Sequence, residues 1–336
     1  MITKIFGKNP LAIFFILTIA TLYLPGSQNT VDLSGKLLKI QEPVMLYDLD
    51  DHGFAVYDLG ENEIKIFNWD FKVINRFPLK KGEGPGEIKN IVAAACIVKG
   101  KIYVAGLFEK KIIVFNPNRK LEREIPLDFM QRDLFYRDGK LYSLNLSINA
   151  GEESFNLGKI IDPLSGKPVK DIFLKSKLIT PKSLDGNPLL IGLSSTFDVG
   201  SNGKVHMLIS SANLLVSIND KNQLEYSMEL PYKERKTIQT VKSGDEEVQE
   251  LSVLDWYTDM RAFDDAVYVC FLKTVKEDVK SGGKTYQTVV IKILTGGKFF
   301  EKVFDGDCVI IGKHRGYLYF FNCREYKVIP IKLSEW

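Results

Sequence analysis

Histidine and cysteine are scarce in this 336-residue chain, with three and four residues respectively. His52 and His314 lie in or beside predicted tight turns, and His206 occupies a position that holds tyrosine in most of the repeats described below. The cysteines form no C-x-x-C pair and have no histidine at ligand spacing, which argues against structural zinc. We therefore predict no catalytic residue, no metal and no cofactor.

A strong net charge is also absent. Lys and Arg total 45 against 42 for Asp and Glu, which gives a formal charge of +3. Binding to nucleic acid needs a concentrated positive surface, so we expect no nucleic-acid partner. The apolar fraction of 45% is ample for a packed core and excludes a disordered chain.

Long hydrophobic runs are limited to one, at residues 11–24, which follows Lys4 and Lys8. This run is shorter than the roughly 18 to 20 apolar residues that cross a bilayer. Its order of charge, apolar run and breaker residues is typical of a secretory signal. We therefore predict that residues 1–30 are a signal peptide and that the protein is periplasmic or secreted. An uncleaved N-terminal anchor is the alternative, because no clean A-x-A cleavage site follows.

Past residue 35 the chain repeats a unit of short strands joined by tight polar turns. Side chains alternate with period two in these strands, and five of the six turns contain the glycine that a hairpin favours. The turns are His52-Gly53, Lys99-Gly100, Asp138-Gly139, Asn202-Gly203, Asp264-Asp265 and Arg315-Gly316. Units of four strands every roughly 40 to 60 residues are typical of propellers. We therefore predict that residues 35–336 form an all-β domain, a six-bladed β-propeller with four-stranded antiparallel blades.

The last unit offers only three strands, at residues 308–312, 317–322 and 327–332. A strand-like segment at residues 35–40 precedes the first complete unit, and we predict that it joins the last blade and closes the ring. A hairpin between Cys308 and Cys323 would bring these two residues close together. The sequence leaves open whether they form a disulfide or are two buried thiols.

One connection carries a resemblance to a known family. The segment Gly82-Glu83-Gly84-Pro85-Gly86-Glu87 resembles the G-x-G-P-G-E connection of bacterial extracytoplasmic six-bladed β-propellers related to NHL-repeat and TolB-like proteins. The resemblance spans residues 35–336 and implies a propeller outside the cytoplasm. Related propellers include lactonases and lyases with metal ligands or histidines in the channel, but no matching residues can be placed on the inner strands here.

The leading hypothesis is a noncatalytic binding or interaction protein with a protein, peptide or glycan partner. The alternative is a hydrolase or lyase, lactonase-like, with its site at the channel mouth. A third possibility, a membrane-anchored structural component, depends on whether the N-terminal run is cleaved.

The strand order predicts where a partner binds. In an antiparallel blade the second-to-third connections and the links between blades share one face of the ring. The long excursions, at about residues 175–193, 231–253 and 273–284, all lie on that face, which we call the long-loop face. The candidate partner-binding residues on its rim are Arg132, Tyr232, Arg235, Asp255, Trp256 and Tyr257.

Overall fold

Alternating apolar and polar residues, interrupted by turns, fold the described part of the chain into β-strands. The computed structural model describes residues 30–33, 36–39, 43–49, 53–146, 154–175, 195–243, 246–263, 266–278, 283–294, 296–323 and 327–336. Two short 3-10 turns are the only helical elements in these ranges, and none of the helices found there is long and apolar enough to cross a membrane.

The described ranges contain 28 strands. In chain order they are β1 (Thr30–Leu33), β2 (Lys36–Lys39), β3 (Pro43–Asp48), β4 (Phe54–Asp58), β5 (Glu63–Phe67), β6 (Val73–Pro78), β7 (Lys80–Lys81), β8 (Glu87–Ile88), β9 (Val92–Val98), β10 (Lys101–Gly106), β11 (Lys111–Phe115), β12 (Leu121–Pro126), β13 (Gln131–Arg137), β14 (Lys140–Asn145), β15 (Ser154–Ile161), β16 (Pro168–Lys175), β17 (Ser195–Val199), β18 (Val205–Ile209), β19 (Leu214–Ile218), β20 (Leu224–Glu229), β21 (Arg235–Ser243), β22 (Glu246–Ala262), β23 (Ala266–Asp278), β24 (Gly283–Leu294), β25 (Phe299–Asp305), β26 (Cys308–His314), β27 (Tyr317–Asn322) and β28 (Lys327–Lys332).

These strands form a six-bladed propeller, which confirms the predicted fold class. Blades 1 to 4 are the four-stranded sheets β3–β6, β9–β12, β13–β16 and β17–β20. Blade 5 is β22–β25 with β21 added, and blade 6 is β26–β28 with β1 and β2 added. The first strands of successive blades contact one another around the centre, so β3, β9, β13, β17, β22 and β26 are the inner strands that surround the channel.

The described tight turns join an inner strand to the second strand of its blade, as the sequence predicts. Lys99 and Gly100 both have positive φ, at 49° and 78°. Two positive φ values in a row match the right-handed twist of the flanking strands, as in a type I′ turn. His52, Asp264 and Asp265 lie outside the described residues.

The G-x-G-P-G-E connection leads from blade 1 to blade 2 and carries the short parallel pair β7–β8. A Cβ atom at Gly82 would lie 2.1 Å from Glu87 Oε2, so this position must be glycine for the Glu87 carboxylate to fold back. That carboxylate accepts the Gly84 N–H at 2.9 Å, and Glu124 of blade 2 accepts the Gly86 N–H at 2.8 Å. The connection therefore uses its own carboxylates to hold its shape, in agreement with a structural role.

The N-terminal strands lie at the outer side of blade 6, in the order β2-β1-β28-β27-β26. β2 falls within the predicted segment 35–40; it pairs with β1, and β1 is the strand that contacts β28. A single parallel pair, Leu33 with Val328, joins β1 to β28. Closure of the ring by an N-terminal strand therefore stays a prediction.

Aromatic side chains join blades 6 and 1 independently of these strands. Trp69 stacks on His314 with ring centroids 5.2 Å apart and an angle of 7°, and it also contacts Tyr319. Phe71 contacts the same tyrosine at 5.8 Å although its φ is 60°, in the left-handed region that bulky residues avoid. Left-handed strain of about 1 to 2 kcal/mol is offset by aromatic pairs that each add about 0.5 to 1.5 kcal/mol. The packing across this junction therefore stabilises the strained turn.

Cys308 and Cys323 are both free thiols. Cys308 is directly opposite Asn322 in the β26–β27 ladder, so Cys323 is one residue further along. Consecutive side chains of a strand point to opposite faces, which separates the two thiols. Burial raises the pKa of the Cys323 thiol well above its ordinary value.

Candidate functional site

Two of the three long excursions are built as extensions of blade 5. Residues 235–255 form a β-hairpin in which β21 pairs with the first half of β22, from Arg235 opposite Asp255 to Ser243 opposite Glu246. The second excursion extends the β23–β24 hairpin as far as Asp278 opposite Gly283. Both excursions are therefore paired strands for most of their described length. Residues 176–194, which make up nearly all of the remaining excursion, lie outside the described residues.

Asp255 holds these two hairpins together at their base. Its carboxylate accepts a two-pronged contact from the Arg235 guanidinium, at 2.8 Å from Nε and 3.1 Å from the second nitrogen. It also accepts the backbone N–H of Thr274 at 2.7 Å, and the Thr274 hydroxyl donates to the Leu254 carbonyl at 2.5 Å. Asp255 is only 8% exposed, and its contacts fix the position of both hairpins.

Tyr232 and Tyr257 form a packed group on one face of blade 5. The Tyr257 hydroxyl donates to the Tyr232 carbonyl at 2.9 Å and accepts the Tyr232 N–H at 3.1 Å. Tyr232 stacks on Phe271 with centroids 4.9 Å apart, and its hydroxyl donates to Glu301 at 2.8 Å. Burial is the main cause that raises the pKa of Tyr232 to about 12, and the neighbouring Glu301 carboxylate adds to the shift. Burial also raises the pKa of Tyr257. Tyr257 is only 3% exposed, whereas Tyr232 is half-buried.

Three members of the predicted rim, Tyr232, Trp256 and Arg235, are partly exposed at the base of the hairpins. Trp256 is half-buried and meets Tyr286 edge-on, with centroids 6.3 Å apart and an angle of 80°. The Arg235 side chain is 52% exposed while it holds Asp255.

Arg132 lies apart from these five residues, on the inner strand of blade 3. It is the extra residue of a β-bulge, because Gln131 pairs with Asn145 and Asp133 pairs with Leu144. Its Nε atom lies 3.3 Å from Asp133 Oδ2, and its side chain is 23% exposed. The structure therefore divides the predicted rim between the base of blade 5 and the start of β13.

The inner strands also carry carboxylates that the sequence analysis missed. Asp198 accepts the N–H of Ala262 in the next blade at 2.6 Å, and Asp259 accepts the N–H of Ile310 in the blade after that at 2.8 Å. Each also accepts the N–H of the residue that follows it. Burial raises the pKa of both carboxyl groups. The signal in the sequence is their recurrence four to five residues before a tight turn, a position that Asp133 also holds.

Asp133 differs from these two carboxylates. Burial raises its pKa to about 6, against the opposing effects of Arg132 and Arg261. Its Oδ2 atom is buried and lies 3.3 Å from Arg132 Nε. Within the same ranges no group of three or more His, Cys, Asp or Glu residues could hold a metal ion.

Among the solved structures that this chain resembles, one supports the architecture. A member of the DUF4221 family from Bacteroides vulgatus matches with a TM-score of 0.51 and 14% identity, over 90% of this chain and 95% of that one. A candidate exported protein from Bacteroides fragilis matches with a TM-score of 0.48 and 11% identity, over 89% of this chain and 81% of that one. Virginiamycin B lyase from Staphylococcus aureus matches with a TM-score of 0.42 and 11% identity, over 84% of this chain and 96% of that one. At these identities the likeness concerns the fold alone.

The sequence matches no protein-family model and no curated protein sequence. Kinship with NHL-repeat and TolB-like propellers therefore stays a prediction from the G-x-G-P-G-E connection.

Proposed function

We propose that this chain is a noncatalytic β-propeller that acts outside the cytoplasm and binds a protein, peptide or glycan on its long-loop face. The observation that carries the proposal is the extension of blade 5. Strands β21 to β24 continue past the ring on that face, and the contacts of Asp255 with Arg235 and Thr274 fix them in one position. Long connections in a compact domain are usually functional, and a rigid scaffold lets them recognise a partner at a small entropic cost.

The location outside the cytoplasm is supported by the charge-then-apolar order of residues 1–30. The noncatalytic role is supported by the described carboxylates of the inner strands, because Asp198 and Asp259 are occupied with backbone N–H groups between blades. A hydrolase or lyase would need its acid or base from elsewhere at the channel mouth.

Partner capture from an extracytoplasmic extract tests this proposal, with the full chain as bait. Trp256→Ala and Arg132→Ala should each weaken retention of the partner by about tenfold or more, as expected for central aromatic and arginine contacts. The matched control is Asn202→Ala, at an exposed turn of the opposite face. If the control loses the partner and the other two variants retain it, the partner binds on the face opposite the long-loop face, and the proposal is wrong.

A further inference from the structure

The two hairpins of blade 5 part from each other where they leave the ring. The ladder between β22 and β23 ends at Trp256 opposite Leu272, and no backbone pair joins these two strands further out in the described part of the chain. Beyond that point β22 pairs with β21, and β23 pairs with β24. Each hairpin therefore continues with its own partner strand.

Side chains take the place of the next backbone pair between β22 and β23. The Thr274 N–H donates to the Asp255 carboxylate at 2.7 Å, and the Thr274 hydroxyl donates to the Leu254 carbonyl at 2.5 Å. An Asp or Thr side chain that bonds to the backbone in this way competes with the ladder of a sheet. Asp255 therefore ends the pairing of β22 with β23 at the point where it also holds the two hairpins together.

The edges that part at this point belong to one gap. β21 lies on one side of β22 and β23 on the other, in the sheet order β21-β22-β23. The edge of β22 that pairs with β23 in the ring is thus the edge that has no backbone partner over residues 246–253 within the described ranges. Residues 275–278 of β23 continue the other side. Val275 is 53% exposed, so solvent reaches the base of this space, which we call the blade 5 gap.

The edge at residues 246–253 is suited to pair with another strand. Unpaired N–H and C=O groups along a strand edge are a template for an extended segment of a second chain. Strands in globular proteins usually have about 5 to 6 residues, so this edge is long enough for a complete strand. It contains no proline, and its register with β21 continues without a bulge.

The sequence of the two edges indicates the charge of a strand that fits. Residues 246–253 contain three glutamates and no cation, and residues 275–278 contain two acids and Lys276. Two of these five acids are opposite a lysine of their own hairpin, as Glu247 is opposite Lys242. The other three are opposite uncharged residues: Glu246, Glu250 and Asp278. Opposite charges on neighbouring strands stabilise a sheet, so this excess of acids favours a strand with positive side chains.

We propose that a basic, extended segment of a protein partner adds as a strand to the edge of β22 at residues 246–253, in the blade 5 gap. Backbone hydrogen bonds provide the affinity, and cationic side chains near Glu246 and Glu250 provide the specificity. This inference rests on the proposed function, for which it names the class of partner, a polypeptide, and the place of contact.

The test is a titration of the full chain with synthetic octapeptides that alternate threonine with lysine or with glutamate. The lysine peptide should bind and slow amide exchange within residues 246–253 by about tenfold at saturation, because the added strand accepts their N–H groups. The glutamate peptide should not bind. The lysine peptide with every peptide nitrogen methylated keeps its charge and loses its backbone donors, so it should not bind either.

Glu250→Gln should weaken binding of the lysine peptide about threefold, as expected for an exposed charge pair. The matched control is Glu122→Gln, on the outer strand of blade 2, which should bind like the wild type.

Four results would each overturn the inference: no binding of the lysine peptide, equal binding of the methylated peptide, equal binding of the glutamate peptide, or unchanged exchange within residues 246–253. Exchange there that slows with protein concentration alone would assign the edge to a second copy of the chain and would also overturn it. The capture experiment with Trp256→Ala is read separately, so failure of the peptide to bind leaves the proposed function standing.

Discussion

Removal of the Asp255 carboxylate gives the sharpest test of how blade 5 holds its hairpins. Asp255→Ala leaves the buried N–H of Thr274 without an acceptor, which destabilises the base of the two hairpins by about 1 to 3 kcal/mol. The pair with Arg235 adds at most about 1 kcal/mol, because that guanidinium is 52% exposed and screened by solvent. We therefore expect Asp255→Ala to lower the local stability of the hairpins by about 3 kcal/mol in total.

Two matched variants separate these contributions. Asp255→Asn keeps an oxygen for the Thr274 N–H and loses only the charge, so we expect a loss of about 1 kcal/mol. Arg235→Ala should lower the local stability by about 0.5 kcal/mol, because it removes only the solvent-screened ion pair with Asp255. The assay is amide hydrogen exchange of β21 and of Thr274, in which 3 kcal/mol of local destabilisation corresponds to roughly a hundredfold faster exchange.

The order of the three variants decides the outcome. If Asp255→Asn exchanges as fast as Asp255→Ala, the charge pair and not the buried N–H dominates. If Asp255→Ala leaves the protection of β21 unchanged, the carboxylate does not anchor the hairpins, and the argument from its contacts is wrong.

Four further predictions follow from other parts of the chain. Lys65→Met should lower the free energy of unfolding by about 3 to 5 kcal/mol in urea titrations, because the buried Lys65 ammonium lies 2.7 Å from the buried Asp58 carboxylate. The double variant with Asp58→Asn should recover part of this loss. No recovery would contradict the pairing. Burial lowers the pKa of His206 to about 4, so the unfolded chain binds the proton first as the pH falls from 7 to 4. The wild type should lose on the order of 3 kcal/mol more than His206→Gln over this range, and parallel curves would refute the assignment. A chain that begins at Pro43 should unfold at a lower denaturant midpoint, whereas an unchanged midpoint would contradict ring closure by an N-terminal strand. The exported protein should lack residues 11–24 by intact-mass measurement, and recovery of the full-length chain from the cytosol would remove the argument for export.

The fold was predictable because its signals are local. A pair such as Lys99-Gly100 specifies a tight hairpin through the backbone angles of two adjacent residues, whatever the rest of the chain does. Repetition of that signal with alternating strands is enough to predict four-stranded blades arranged in a ring.

The candidate site was less predictable because its parts depend on contacts between distant segments. Whether residues 235–255 are a loop or a hairpin is decided by pairing, and the Arg235–Asp255 contact spans 20 residues of sequence. The role of Asp198 could not be predicted either, since its partner, the N–H of Ala262, belongs to the next blade. The order of the tight turns does place Arg132 in the third blade and Trp256 in the fifth, but it does not predict the contacts that either side chain makes.

Strand β22 runs unbroken for 17 residues, from the tip of the hairpin to the wall of the channel. At about 3.3 Å per residue its backbone path is on the order of 55 Å long, with bulges near Leu254 and Thr258. The outer end at Glu246 and the channel residues Asp259 and Arg261 therefore belong to one continuous strand, with no loop between them. A partner bound at the outer end would contact the same strand that lines the channel.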